Sequence, residues 1–224
     1  MLGTAFNVSA IVIGTLVGLA IRRRLPERMN SIAVQALGLV TALIGVKMMI
    51  TTENLLIVLV SMVIGGVVGE LLGVEARLEG FGAKVEAKFS KEGGTFAKAF
   101  VTSSLLYCVG PMAIIGSLQD GLTGDFTILL TKSGLDGVAS IAFASTLGVG
   151  VLFSAVPVAL YQGAITIGAS MLEPYLTSRM INEMTAIGGL LIVGIALNIL
   201  QVARIKVGNL LPAILVIAML SSLP

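Results

Sequence analysis

The sequence predicts an all-α, polytopic transmembrane bundle of about eight spans. Three observations predict it: missing charge, the length of the apolar blocks, and the lack of any alternating pattern. Only 12% of the 224 residues are charged and 56% are hydrophobic, where a soluble domain carries about 25% charge. Mean hydropathy is +1.05. A soluble domain of this size must still clothe its outside in polar groups, and this chain lacks them. The apolar blocks run for about 17 to 22 residues, the length that crosses a ~30 Å hydrocarbon layer as a helix. A membrane barrel would alternate over segments of about ten residues. These blocks are instead continuously apolar and rich in Gly and Ala, as expected where each span must satisfy its own backbone hydrogen bonds.

In order, the blocks cover residues 2–21, 31–50, 55–72, 96–118, 138–156, 157–172, 184–202 and 207–223. The first is followed, not preceded, by Arg22, Arg23 and Arg24. That order is the reverse of a cleavable signal and marks a retained span. Residues 137–172 carry no charge after Asp136 and would make one helix of about 54 Å at 1.5 Å per residue, too long for one crossing. Pro157 is the expected break, giving eight spans; without a full crossing there, seven.

Orientation follows from the basic residues, which favour short cytoplasmic loops. With the N-terminus outside, only Lys47, Lys132 and Arg179 of the 14 Lys and Arg lie at or towards the outside, leaving 14 − 3 = 11 inside. Both termini are therefore expected outside. The whole chain, residues 1–224, forms a single membrane domain, and its one substantial polar segment is residues 74–95. There Val74, Leu78, Phe81, Val85 and Phe89 recur at helical spacing between charged residues, the pattern of an amphipathic helix at the cytoplasmic interface. It is a solvated linker on the membrane face, or a gate or docking element.

Two stretches resemble one another: "ERMNSIAVQALGLVTALIG" within residues 7–45 and "SRMINEMTAIGGLLIVG" within residues 162–194. Each follows a small-residue helix and runs into a final apolar span. Spans one to three then correspond to spans six to eight and cross in opposite directions, the inverted repeat of secondary transporters, whose sites lie near midplane at the repeat interface. The alternative is two similar hydrophobic hairpins arising from composition.

Chemistry-bearing residues are few. There is no histidine or tryptophan and one cysteine, Cys108, which excludes an intramolecular disulfide, a histidine base and the usual zinc or haem sites. No phosphate loop, nucleophile–base pair or metal-ligand spacing occurs, so no enzyme, no cofactor and no ATP-driven pump is expected, and nothing suggests nucleic-acid binding. All three aspartates, Asp120, Asp125 and Asp136, fall with Lys132 in the Gly- and Ser-rich stretch between spans four and five. A break at Gly110-Pro111 frees backbone groups there, which is tolerated where the chain lines a cavity. These carboxylates with a nearby lysine form a candidate ion or substrate site, or else cap turns of a polar outer loop. Asn7, Gln162 and Asn198 are amides in or beside spans. They replace the hydration shell of a passing solute or act as interhelical glue. The repeat sets Asn7 and Gln162 at matching positions. Lys47 snorkels to the surface or acts within span two, and Gly14/Gly18 and Gly65/Gly69 permit close helix packing, within the chain or in a homo-oligomer.

At "GPMAIIGSLQDGLTGD" and "TKSGLDG", with the early "GTAFN" and the arginine cluster after span one, the chain resembles the domain-of-unknown-function 554 (DUF554) family over essentially its whole length. The resemblance implies a YdfK/YqgA-type prokaryotic membrane protein of the transporter kind, and carries over no functional residues. The expected function is a secondary transporter or exporter of a small ion or polar solute across the cytoplasmic (inner) membrane of a prokaryote. Its partners are then the lipid bilayer and that solute. The alternatives are a channel with a polar outer filter and a non-transporting membrane scaffold.

Overall fold

The computed structural model describes residues 1–22, 26–80 and 96–222. Among the described residues every regular element is helical. In chain order these are α1 (Leu2–Arg22), α2 (Glu27–Met49), α3 (Leu55–Leu72), α4 (Phe96–Cys108), α5 (Pro111–Leu122), α6 (Thr127–Leu147), α7 (Gly150–Phe153), α8 (Ala155–Ile167), α9 (Ala169–Leu172), α10 (Ser178–Ile199), α11 (Val207–Leu210) and α12 (Ala213–Ser221). Residues 74–80 are also helical. The remainder of the expected interfacial helix, including Phe81, Val85 and Phe89, lies outside the described residues.

Among the described residues six helices are long and apolar enough to cross a membrane, and the α4–α5 pair, bent by 58°, makes a seventh if taken as one span. The 207–221 stretch, apolar but shorter, is broken between α11 and α12 at Pro212. The surface is inside-out relative to a soluble protein. Leu55, Leu56 and Leu71 of α3 are 74%, 72% and 82% exposed, which is affordable only where hydrocarbon is the solvent.

The helices gather into two compact units, one from the described residues of Met1–Leu37 and Gly82–Pro174, the other from those of Gly38–Phe81 and Tyr175–Pro224. In the first, α1 lies along α6 at backbone contact. A Cβ on Gly3 would come within 2.6 Å of Leu129 Cδ1, one on Gly14 would strike the Gly137 carbonyl, and one on Gly18 would stand 2.5 Å from Ile141 O. Contacts that rise together along both helices mean that they run parallel. Small residues let them approach until van der Waals packing, the main attraction between helices in lipid, is strong.

The α4–α5 pair traverses this unit once. Phe96, at the start of α4, meets Gly150 beside the end of α6, whereas Gly116 of α5 packs on Leu129 near the start of α6. Pro111 at the first position of α5 supplies the break, since a proline there forfeits no helical hydrogen bond.

One boundary differs from expectation. The uncharged run is not divided at Pro157 into spans 138–156 and 157–172. It divides at Gly148, whose φ of 94° is a left-handed conformation that glycine adopts without steric cost. Pro157 sits in the first turn of α8, where its missing N–H costs nothing. The preceding span is therefore α6, Thr127–Leu147, which begins eleven residues earlier than the expected 138.

In the second unit, α10 crosses α2 at glycines. Gly45 and Gly189 approach through their backbones, and Gly38 meets Leu200 Cδ2 at 2.7 Å from its would-be Cβ. The loop entering α3 is held by Glu183, which is fully buried and accepts from Thr52 Oγ1 at 2.6 Å and from the N–H groups of Glu53 and Asn54 at 2.8 and 3.2 Å.

Candidate functional site

The earlier start of α6 changes the environment of two candidate residues. Lys132 and Asp136, four apart, lie on one face of a span-length helix. Asp136 is about 14 Å from its first residue and about 17 Å from its last at 1.5 Å per residue. They are within a span and not on the outer loop the sequence suggests. Both are buried, and they form an ion pair.

Two other predicted residues join them. Asn7 Nδ2 donates to Asp136 Oδ2 at 3.0 Å and to Gln162 Oε1 at 3.3 Å. Asn7 and Gln162 are both fully buried. α1, α6 and α8, remote in sequence, thus each contribute to one polar cluster. Asn7 Oδ1 and Gln162 Nε2 have no partner. On a further side Tyr107 of α4 sets its ring 5.9 Å from Lys132 Nζ, while its hydroxyl hydrogen-bonds Ser140 Oγ at 2.8 Å. A buried charge in lipid is tolerated when paired and hydrogen-bonded, and the ring face adds a cation–π contact.

Asp120 is also buried, near one end of the same unit. It accepts from Gly3 N at 3.3 Å and pairs with the amino group of Met1 at 2.7 Å. The hydroxyls of Thr4, Ser117 and Thr166 are buried without partners. Thr4 precedes Asn7 by one helical turn, and Thr166 follows Gln162 by one.

The remaining predicted residues do not join the cluster. Asp125 is exposed and caps the start of α6, accepting from Thr127 N at 2.9 Å and Thr127 Oγ1 at 2.6 Å. Those bonds hold its carboxyl below the usual carboxylate range. Asn198 belongs to the second unit, where its amide accepts from Ile205 N at 2.8 Å and donates to Ile205 O at 2.7 Å. It thereby backs a cleft of about 400 Å³ lined also by Glu70, Glu75, Lys206 and Asn209. The cleft's groups bind one another: Lys206 Nζ donates to Glu70 Oε1 at 2.9 Å and Gly208 N to Glu75 Oε2 at 2.6 Å. Burial raises the Glu75 carboxyl above its ordinary value against those hydrogen bonds. Lys47 is exposed in the last turn of α2.

The sequence pointed to the cluster's acid, base and amides, but not to Tyr107, Thr4, Ser117 or Thr166. Tyr107 had one available signal, as an aromatic hydroxyl within an apolar span. The threonines had only their helical spacing from the amides, which becomes informative once α1 and α8 are known to face α6 and α5.

The sequence model of the family described as "Protein of unknown function (DUF554)" matches residues 2–222. The chain is 34% identical over 222 residues to the "Uncharacterized membrane protein YdfK" of Bacillus subtilis (strain 168), covering 96% of this chain and 93% of that protein. It is 29% identical over 227 residues to the "Uncharacterized protein YqgA" of Escherichia coli (strain K12), covering 99% and 97%. No solved structure matches.

Proposed function

This chain belongs to the DUF554 family of membrane proteins, and on that premise we propose that it is a secondary transporter of a small ion or polar solute whose pathway runs through the first unit, past Asn7, Lys132, Asp136 and Gln162. The single observation that carries the reading is the buried Lys132–Asp136–Asn7–Gln162 network, with Asp136 near the middle of a span-length helix and one amide oxygen and one amide nitrogen left unmatched. Ionisable groups at that depth are expensive and mark solute or ion routes. Unpaired buried polar atoms cost free energy that a packed scaffold has no reason to spend. Among the described residues no cluster of metal-ligating side chains accompanies them, and a translocating role is the reading we favour over catalysis.

The inverted repeat is part of this proposal. Asn7 and Gln162, matched by the repeat, hydrogen-bond each other, as residues beside a pseudo-two-fold axis do. Sites in inverted-repeat transporters sit at that axis. The parallel run of α1 and α6 also agrees with three crossings between them, namely α2, α3 and the broken α4–α5 span. With the stretch 207–221 also crossing, eight spans place both termini outside the cytoplasmic membrane of a prokaryote, in keeping with the basic-residue count.

Reconstitution into proteoliposomes tests the function. Saturable solute uptake that falls at least about tenfold in Asp136→Asn is expected. Ohmic single-channel currents would replace the transporter with a channel. Flux identical in wild type and variant for every solute that moves would leave a scaffold.

A further inference from the structure

The unmatched atoms of the network are not interchangeable, and their identity is set by Asp136. A carboxylate accepts hydrogen bonds, so Asn7 must present Nδ2 to it. The same Nδ2 also meets Gln162, which must answer with Oε1. The orientation of both amides is thereby forced, although amide oxygen and nitrogen are assigned in general from such networks. Left over are one acceptor, Asn7 Oδ1, and one donor, Gln162 Nε2, on side chains with no exposed surface. Beside them stand one anion, Asp136, and one cation, Lys132, which pair with each other, Asp136 also accepting from Asn7 and Lys132 facing the Tyr107 ring.

We propose that this network is a binding site for a small zwitterion of the α-amino acid type, which inserts between Lys132 and Asp136. This rests on reading the first unit as a solute pathway. The ligand's ammonium takes the place of Lys132 on Asp136 and donates a further hydrogen to Asn7 Oδ1. Its carboxylate takes the place of Asp136 on Lys132 and accepts from Gln162 Nε2. Every polar group of the Asn7–Lys132–Asp136–Gln162 network is then paired, including Asn7 Oδ1 and Gln162 Nε2. No bond is made or broken beyond hydrogen bonds and ion pairs, and no proton changes owner.

Charge balance selects the zwitterion over an ion. A bare cation on Asp136 would strand the Lys132 ammonium in a low-dielectric interior, and a bare anion on Lys132 would strand Asp136. Leaving one partner of a buried pair uncompensated is strongly destabilising. A zwitterion splits the pair and compensates both halves. The other charged or titratable groups on elements packed against α6 do not alter this balance. They are Arg22, which reaches Thr146 O at the far end of α1, Lys98, Tyr107 and Cys108 on α4, and Asp120 on α5, which the amino group of Met1 neutralises. α7 carries none.

Size and access point the same way. A Cβ on Gly163, the residue after Gln162, would meet no atom beyond its chain neighbours and own helix backbone nearer than Met1 Cε at 3.8 Å, so there is room of about methyl size on that face of α8. Thr4 and Thr166 extend the faces of Asn7 and Gln162 towards the end that holds Asp120. Their unpartnered hydroxyls, with that of Ser117, offer a polar lane to the site. A ligand with a small side chain fits such a route.

The test is equilibrium binding of radiolabelled glycine and L-alanine to the full-length protein in lipid nanodiscs, with methylammonium, acetate and radioactive sodium as partial ligands. Saturable glycine binding is expected. Methylammonium and acetate should each compete at least about tenfold more weakly, since each forgoes charge-assisted hydrogen bonds. Asp136→Asn and Lys132→Gln should each weaken glycine binding at least about tenfold, and Gln162→Leu should weaken acetate competition while sparing that by methylammonium. The partial-ligand competition needs no variant, so misfolding of a pair mutant does not blunt the test. Sodium or methylammonium binding as tightly as glycine would overturn the proposal in favour of a cation site. Acetate doing so would make it an anion site, and binding of no probe would overturn it outright. Coupled flux of another solute that depends on Asp136, without zwitterion binding, would sink this inference and leave the transport reading standing. Zwitterion binding without flux of any solute would do the reverse.

Discussion

At Asp136 the decisive quantity is the cost of an unpaired charge where water is absent. Asn7, Lys132 and Tyr107 surround it so that neither member of the ion pair stands alone. Removing one partner of such a pair costs roughly 3–5 kcal/mol, while replacing both by apolar residues of similar volume is close to neutral. Asp136→Leu alone should therefore lower the thermal midpoint in detergent far more than Asp136→Leu with Lys132→Met, and equal losses would show that the pair is not the relevant unit. Asp125 behaves differently because it is exposed and acts as a cap. Its folded carboxyl titrates below the usual value of 3.8 because of Thr127, so its contribution is complete above the unfolded value and is lost as pH falls through the folded one. Asp125→Asn should flatten the acid limb of a melting-temperature profile and leave the neutral region nearly unchanged.

The helices depend on where small residues let backbones touch. Gly14 and Gly18 bring α1 against the carbonyls of α6, and this contact carries Asn7 to Asp136. Gly14→Val should cost about 1–3 kcal/mol or more by overpacking and should also disturb the site, read as a loss of both thermal midpoint and flux. The break between α6 and α7 invites a paired comparison. Gly148→Ala is strained, because φ is 94° and the new Cβ would stand 2.5 Å from Arg22 Nη1. It should be destabilising by roughly 1–2 kcal/mol, whereas Pro157→Ala, in the first turn of α8, should change the midpoint little. The reverse ranking would return the break to Pro157.

For the molecule as a whole, the proposed topology of eight crossings with both ends outside predicts which residues a membrane-impermeant maleimide can reach. In a Cys108→Ser background, Asp125→Cys should label in intact cells and Ala76→Cys only after permeabilisation. An opposite result would invert the topology, and labelling of both from outside would break the span count.

Lipid solvation, helical class and the broken fourth span at Pro111 were legible in the chain because each depends on local composition: too few charges for a wet surface, blocks long enough to cross, and a proline that starts a helix. Asp136, Lys132, Asn7 and Gln162 were recognisable as costly residues in apolar surroundings. Their partnership was not, because α1, α6 and α8 meet through tertiary packing over sequence separations of 129 and 155 residues, which no local pattern encodes. The depth of Asp136 followed from a single boundary. Sequence propensity favoured Pro157 as the break, but a proline in a first turn forfeits nothing, while Gly148 supplies the left-handed turn. Only the packed fold therefore decided that Asp136 lies inside a span-length helix, that Asp125 is a surface cap, and that Asn7 Oδ1 and Gln162 Nε2 remain unmatched.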